Sequence, residues 1–245
     1  MKTVLITGAN KSIGFETARQ LLQAGYFVYL GSRDKQKGEE AIAKLNAEGY
    51  AEVELVVIDV NDSGSVIEAR KELGSRITSL DVLINNAGIR GDGDPTPSLI
   101  SPKTIREVFN INFFGTIEVT QAFLDLLKNS EAPRIVNVTS GLASLALHSD
   151  PTWKYYKFKG AAYGPSKTAL NAYTIALAYE FRDTPFKINA VDPGYTATDF
   201  NQHRGTGTVE DAAQRIVKYA TIDDDGPTGG YFSDDNSPQT GISPW

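Results

Sequence analysis

Cysteine is absent from the 245-residue chain, which excludes disulfides and thiol chemistry alike. Histidine is nearly as scarce. His148 and His203 are the two present, and neither is grouped with carboxylates at metal-ligand spacing, so no metal site is expected. No apolar run is long enough to span a bilayer, and the strand-like Lys2-Thr3-Val4-Leu5-Ile6-Thr7 follows Met1 at once. That leaves no room for a signal peptide, and the expectation is a soluble, cytoplasmic protein with no membrane partner. Positive charge is in deficit as well: 24 Lys+Arg face 30 Asp+Glu, a net charge of -6. Nucleic acid and anionic membrane surfaces are thereby excluded as main partners.

What remains is a chain with 41% hydrophobic residues, enough for one well-buried α/β unit. Apolar runs of strand length alternate with longer segments of helical period. Strands are expected at Val4–Thr7, Tyr26–Gly31, Val53–Ile58, Leu80–Asn85, Arg134–Thr139 and Lys187–Val191, with a short last one at Gly229–Phe232. Helices are expected near 13–24, 34–47, 63–75, 104–128, 162–181 and 208–219, and a Gly, Pro and Asp-rich loop near 89–102. Near-continuous apolar strands separated by helices imply a doubly wound parallel sheet of about seven strands, covered by helices on both faces. No repeat or linker divides residues 1–245, so a single domain is expected.

Between the first strand and the first helix lies Thr7-Gly8-Ala9-Asn10-Lys11-Ser12-Ile13-Gly14. Glycines there let the backbone turn tightly and approach a pyrophosphate, which rests on amides at the helix N-terminus. The residues after the second strand choose the dinucleotide. An NAD site places a carboxylate there for the ribose hydroxyl. This chain reads Ser32-Arg33-Asp34 instead. Arg33 can pair with a 2'-phosphate, Lys11 can approach it from the glycine turn, and Ser32 offers a hydroxyl. Asp34 comes too late and is free to cap the next helix. NADP(H) is the expected cofactor.

Tyr163 and Lys167 are four residues apart at the opening of a long helical segment, so both side chains leave one face. An isolated phenol, with a pKa of about 10, is a poor acid at neutral pH; an adjacent ammonium would favour its ionised form. About three units of depression amount to roughly 4 kcal/mol of differential stabilisation. By itself the spacing is weak, since many helices contain it by accident.

With Asp59-Val60, Asn85-Asn86-Ala87-Gly88, Asn112-Phe113-Phe114-Gly115, Asn137-Val138-Thr139-Ser140 and Asp192-Pro193-Gly194 following in order, the chain resembles the short-chain dehydrogenase/reductase family over nearly its whole length. Lys11, Arg33 and the ending Gly226-Pro227-Thr228-Gly229-Gly230-Tyr231-Phe232 look most like its NADPH-dependent carbonyl reductase branch. The resemblance implies a Rossmann-type fold and reversible reduction of aldehydes or ketones to alcohols. Tyr163 would be the general acid, Lys167 would lower its pKa and hold the nicotinamide ribose, Ser140 would polarise the carbonyl, and Asn112 would position a water. Gly8, Asn10, Lys11, Ser12, Ile13 and Gly14 would cradle the pyrophosphate, with Ser32 and Arg33 at the 2'-phosphate. Asp59 and Val60 would flank the adenine, and Asn86, Ala87 and Gly88 would pass along the cofactor. Pro193, Gly194, Thr196 and Thr198 would lie near the nicotinamide. Preplaced donors and a proton source are what an alkoxide forming under hydride transfer requires.

Two positions depart from the family pattern. Ser12 stands where a glycine is usual, a substitution that costs something if the backbone there needs positive φ. The stretch between Ser140 and Tyr163 is also longer than usual. Its extra segment, 148–160, carries Pro151, Trp153, Tyr155, Tyr156 and Phe158. Either it shields a face used for oligomerisation, leaving a monomer in place of a homo-oligomer, or its aromatics form part of the substrate wall. The loop 195–207, with Gly205 and Gly207, is expected to close over the site, and the pocket to be apolar and aromatic. Two alternatives stay open: a 3-oxoacyl reductase or other alcohol dehydrogenase, and a non-catalytic NADP-binding regulatory protein.

Overall fold

A computed structural model describes residues 1–93 and 95–245; Asp94, within the expected loop 89–102, lies outside the described residues. Seven strands form one sheet: β1 (Thr3–Ile6), β2 (Phe27–Ser32), β3 (Val53–Val57), β4 (Val82–Asn85), β5 (Arg134–Val138), β6 (Lys187–Val191) and β7 (Tyr231–Phe232). Their spatial order is β3-β2-β1-β4-β5-β6-β7, and every pairing is parallel. Parallel neighbours need crossover connections, and helices supply them: α1 (Ser12–Gln23), α2 (Lys35–Ala47), α3 (Ser63–Arg76), α4 (Pro102–Phe109), α5 (Gly115–Lys128), a short α6 (Leu145–His148), α7 (Tyr163–Glu180) and α8 (Val209–Ala220).

The strand pleat divides the core in two. In β1, Val4 and Ile6 join a cluster with residues of α1, α2 and α8, while Leu5 joins one with residues of α3, α5 and α7. In β4, Leu83 likewise faces away from Val82 and Ile84. A period of two therefore buries both faces of every inner strand, which is why these strands read as unbroken apolar runs. The chain leaves β1 for β2 on one side and later returns to β4 on the other. That reversal opens a crevice at the carboxyl ends of β1 and β4, where such sheets bind ligands.

Helix starts follow side-chain chemistry. Asp34 caps α2 by accepting from Lys37 N, the role expected for a carboxylate too late to meet a ribose, and Asp62, Ser101 and Thr208 cap α3, α4 and α8. The helix expected over 104–128 begins at Pro102 and is not one regular rod. Asn110–Phe114 form a π-helical turn between α4 and α5, a bulge that re-aims a side chain inside a helix. Asn112 sits in it. Among the described residues, no helix is long and apolar enough to cross a membrane, and no group of three or more His, Cys, Asp or Glu could hold a metal ion.

Candidate active site

Ser140 follows β5 and Tyr163 opens α7, so the parallel strand end and the helix start bring the two together. The Ser140 side chain faces the Tyr163 phenol and accepts from Leu142 N at 3.2 Å. The Ser140 carbonyl accepts from the Tyr231 hydroxyl at 2.6 Å, which ties this turn to β7. Phe200 packs on the Tyr163 ring with centroids 5.2 Å apart. Lys167 lies one turn further along α7, 4% exposed, and donates to Val138 O at 2.8 Å.

This geometry corrects one expectation. Lys167 does not lower the Tyr163 pKa here, because its ammonium is committed to the end of β5. Burial raises the phenol instead; the Ser140 hydroxyl opposes that rise and the Asp192 carboxylate adds to it. Burial also pulls Lys167 down, from 10.5 to about 8, because a charged amine is poorly solvated in the interior.

The glycine turn is built for close approach. Gly8 has φ 65, and a Cβ there would come within 3.0 Å of Ala87 Cα; one on Gly14 would come within 2.5 Å of Asn86 Nδ2 and 2.6 Å of Gly8 O. Asn86 Nδ2 stitches the turn to β4 by donating to Thr7 O at 2.9 Å and Gly8 O at 3.1 Å, and Ala9 N donates to Gly31 O at 2.8 Å. The N-cap residue of α1 is Lys11, which makes no capping bond. The first-turn amides that follow it, including those of Ser12, Ile13 and Gly14, are thereby left without a side-chain acceptor, the state in which a helix start receives an anion. Asn10 precedes them, half-buried.

Ser12 does adopt positive φ, at 52, so serine here bears strain of about 1–2 kcal/mol. Ser12→Gly should raise stability by about 0.5–1 kcal/mol, after about 0.4–1 is returned as unfolded-chain entropy. A thermal melt should rise by roughly 1–4 °C; a fall would mean that the serine hydroxyl holds more than the backbone loses.

At the other end of the groove, Ser32 Oγ donates to Asp34 O at 2.8 Å, and Arg33 is exposed with no hydrogen bond or ion pair among the described residues. Lys11, 62% exposed at the side chain, is paired with Asp199 at 3.0 Å, across to the loop after β6. Asp59 Oδ1 caps its own turn by accepting from Asn61 N at 2.9 Å, and Val60 is buried beside it against Gly115. Asn112 is fully buried and grips Ile89, accepting from its N–H and donating to its carbonyl, both at 2.8 Å. Its second amide proton goes to Ser166 Oγ at 3.0 Å. A water can thus be bound by this side chain only through the remaining lone pair of Oδ1. Gly88 is bare where Asn112 and Lys167 converge: a Cβ would stand 3.2 Å from Asn112 Oδ1 and 3.6 Å from Lys167 Nζ.

Beyond β6, Gly194 has φ 84, and the buried Thr196 donates to Gly194 O at 3.2 Å. The buried Thr198 receives Asn201 Oδ1 on its N–H at 3.3 Å, and Pro193 O accepts from Arg215 Nη1 at 2.6 Å. His203 pairs with Asp199 at 3.0 Å. The segment 148–160 lies against the same loops. Tyr155 donates to Asp235 Oδ2 at 2.7 Å and stands 6.2 Å from the Tyr195 ring, and Trp153 Nε1 donates to Asn236 Oδ1 at 3.3 Å. Among the described residues, none of its hydrogen bonds or ring contacts reaches α5. His148, bonded through Nε2 to Leu142 O at 3.0 Å, is lowered in pKa mainly by burial.

The chain matches the family model described as short chain dehydrogenase over residues 2–208. It belongs to the short-chain dehydrogenase family. Salutaridine reductase of Papaver bracteatum is 30% identical over 297 aligned positions, covering 95% of this chain and 94% of that protein. The (+)-neomenthol dehydrogenase of Capsicum annuum is 32% identical over 297, covering 93% and 94%. The crystal structure of NADPH-bound carbonyl reductase from chicken fatty liver superposes with a TM-score of 0.83 at 26% identity, covering 100% of this chain and 99% of that one.

Two parts of this short-chain dehydrogenase site escape sequence reasoning. Phe200 sits in a loop whose sequence marks mobility and not contact. Ser166 donates to Tyr163 O at 2.7 Å while receiving Asn112, so it joins α7 to the π-helical turn. Its position three residues after the tyrosine was the available signal, and hydroxyls are common there in any helix.

Proposed function

We propose that this short-chain dehydrogenase reduces an aldehyde or ketone carbonyl to the alcohol, reversibly, using NADPH, with Tyr163 as the general acid. The observation that carries this is that Ser140 and the Tyr163 phenol face each other at the carboxyl edge of the sheet, with Lys167 one helical turn away. Relatives named as a reductase and as a dehydrogenase represent the two directions of that reaction.

The cofactor fits the residues present. Gly8 and Gly14 let the turn close tightly on Ala87 and Asn86, where a Cβ would collide, the α1 amides lack a capping acceptor, and Arg33 is an unpaired cation among the described residues, with its neighbour Asp34 turned into helix capping. Gly8, Asn10, Ser12, Ile13 and Gly14 would hold the pyrophosphate, and Ser32, Arg33 and Lys11 the 2'-phosphate. Asp59 and Val60 would flank the adenine, Asn86, Ala87 and Gly88 the ribose side, and Pro193, Gly194, Thr196 and Thr198 the nicotinamide. When bound, NADPH supplies the hydride for the carbonyl carbon.

The chain's own residues handle charge and proton. The Ser140 hydroxyl and the Tyr163 phenol face each other, so one carbonyl oxygen can receive both. Ser140 steadies the developing negative charge, and Tyr163 delivers its proton to that oxygen. Lys167, buried one turn along α7 beside Gly88, would hold the nicotinamide ribose. Asn112 acts through Ile89 and Ser166, holding the floor of the cleft and the first turn of α7 in register. Tyr155, Tyr195 and Phe200 supply an apolar, aromatic wall suited to a small or medium-sized ketone.

The test is NADPH consumption with a panel of aldehydes and ketones. Carbonyl-dependent oxidation by the wild type supports the reading; NADPH binding without turnover of any member sinks it in favour of a regulatory binder. The cofactor assignment has its own check. Arg33→Ala should weaken NADPH by about tenfold, the scale of one lost charge-assisted hydrogen bond, while leaving NADH within twofold. Equal losses for both would refute the 2'-phosphate role.

A further inference from the structure

Asp192 follows β6 and is 4% exposed. Its Oδ1 accepts from Gly194 N at 2.9 Å and its Oδ2 from Ser233 Oγ at 2.6 Å. Gly141 packs against the same carboxylate, where a Cβ on it would stand 3.1 Å from Oδ2. One side chain therefore joins the loops leaving β5, β6 and β7. Gly194 N and Ser233 Oγ both donate to it, while burial pushes the carboxyl above the usual carboxylate range. Yet among the described residues Asp192 makes no ion pair. Arg215 and Lys218 line the crevice behind it, but Arg215 bonds Pro193 O at 2.6 Å and lies 3.5 Å from Asp234. A buried, unpaired carboxylate is costly, and fold stability alone would be served by a neutral group.

The residue it packs against explains its presence. Gly141 is the immediate neighbour of Ser140, whose hydroxyl meets the Tyr163 phenol. We infer that Asp192 is a positioning residue for the proton donor: its carboxylate pins the Ser140–Gly141 turn so that the serine hydroxyl stays against Tyr163. This rests on the reading of Tyr163 as the general acid. The charge has a second consequence. The groups facing the phenol are Ser140, Phe200, Tyr231 from β7 and Asp192 from β6, with Lys167 one turn along the same helix turned to Val138 O. Those facing Asp192 in turn are Asp235, Tyr155, Tyr231, Arg215 and Lys218. Burial is the main reason the phenol is raised, and the Asp192 charge adds to it in the direction carbonyl reduction requires.

The experiment is the pH dependence of ketone reduction at saturating NADPH for the wild type, Asp192→Asn, Asp192→Ser and Ser233→Ala. The serine variant is included because its hydroxyl can still receive Gly194 N in the short turn, so the loop folds without the charge. Both neutral variants should lose about tenfold in kcat through misplacement of the donor pair, with the NADPH Kd within twofold of wild type. Their alkaline limb, where the donor loses its proton, should move to lower pH. Ser233→Ala keeps the charge, so its limb should stay at or above that of the wild type. Limbs of the neutral variants that coincide with wild type, or a downward shift in Ser233→Ala, would overturn the inference. Failure of the wild type to turn over any carbonyl would instead strike the proposed function beneath it.

Discussion

Tyr163→Phe is expected to lower ketone turnover by about 10²–10⁴-fold, the range a positioned general acid contributes, while NADPH affinity stays within a factor of two. Phenylalanine keeps the ring that packs on Phe200 and removes only the hydroxyl that meets Ser140. The structure should therefore survive and the proton should not be delivered. The measurement is single-turnover NADPH oxidation beside a direct binding titration. Retained turnover would mean that another group protonates the alkoxide; loss of both binding and turnover would mean that the hydroxyl serves the cofactor and not the substrate.

Lys167→Met should separate stability from activity. A lysine buried to 4% and pulled from 10.5 to about 8 disfavours the folded state by on the order of 3 kcal/mol at neutral pH. Methionine fills a similar volume without the charge but gives up the bond to Val138 O, worth about 1 kcal/mol. The cofactor-free variant is expected to be more stable by about 2 kcal/mol, or roughly 4–8 °C in thermal midpoint. Activity should fall by about 10²–10³-fold, because the amine that would hold the nicotinamide ribose in place for hydride transfer is gone. The sign of the pH dependence gives a second reading. Between pH 8 and 10 the unfolded lysine holds its proton while the folded one sheds it, so wild-type stability should rise with pH. Above pH 10 the trend reverses, since Tyr163, Tyr155 and Tyr231 are all raised by burial and stay protonated in the fold while the unfolded tyrosines ionise. Urea melts across pH 7 to 9, below the ionisation of unfolded tyrosines, should show the rise in the wild type and a flat profile in Lys167→Met. A destabilised variant with an unchanged pH slope would show that the lysine is not paying for its burial.

Much of the architecture is local in origin and so was readable from the chain. Alternation within Val4-Leu5-Ile6 and Val82-Leu83-Ile84 buries both sheet faces, and helix starts at Asp34 and Thr208 are set by a side chain and an amide only two or three residues away. The Ser12 departure was readable for the same reason: a single backbone torsion decides whether glycine is wanted, and it stands at φ 52. The Tyr163–Lys167 spacing placed two side chains on one helix face but could not say where the ammonium would point. That depends on Val138, 29 residues earlier in sequence, and the expected lowering of the phenol failed on it. The π-helical turn at 110–114 was equally hidden, because its cause is the grip of Asn112 on Ile89 and Ser166, 23 and 54 residues away.

The sequence by itself determined a parallel, doubly covered sheet and the tight glycine turn after β1, because each follows from residues within a turn or a strand of one another; the side chains proposed to react were named by the family resemblance. Tertiary structure alone decided their electrostatics. It set the lysine against a carbonyl, the Lys11 ammonium against Asp199, the aromatics of 148–160 beside Tyr195, and the buried Asp192 carboxyl beside the turn that follows Ser140. Charges and hydrogen bonds of that kind act through space over a few ångströms, and only folding brings their partners within that distance.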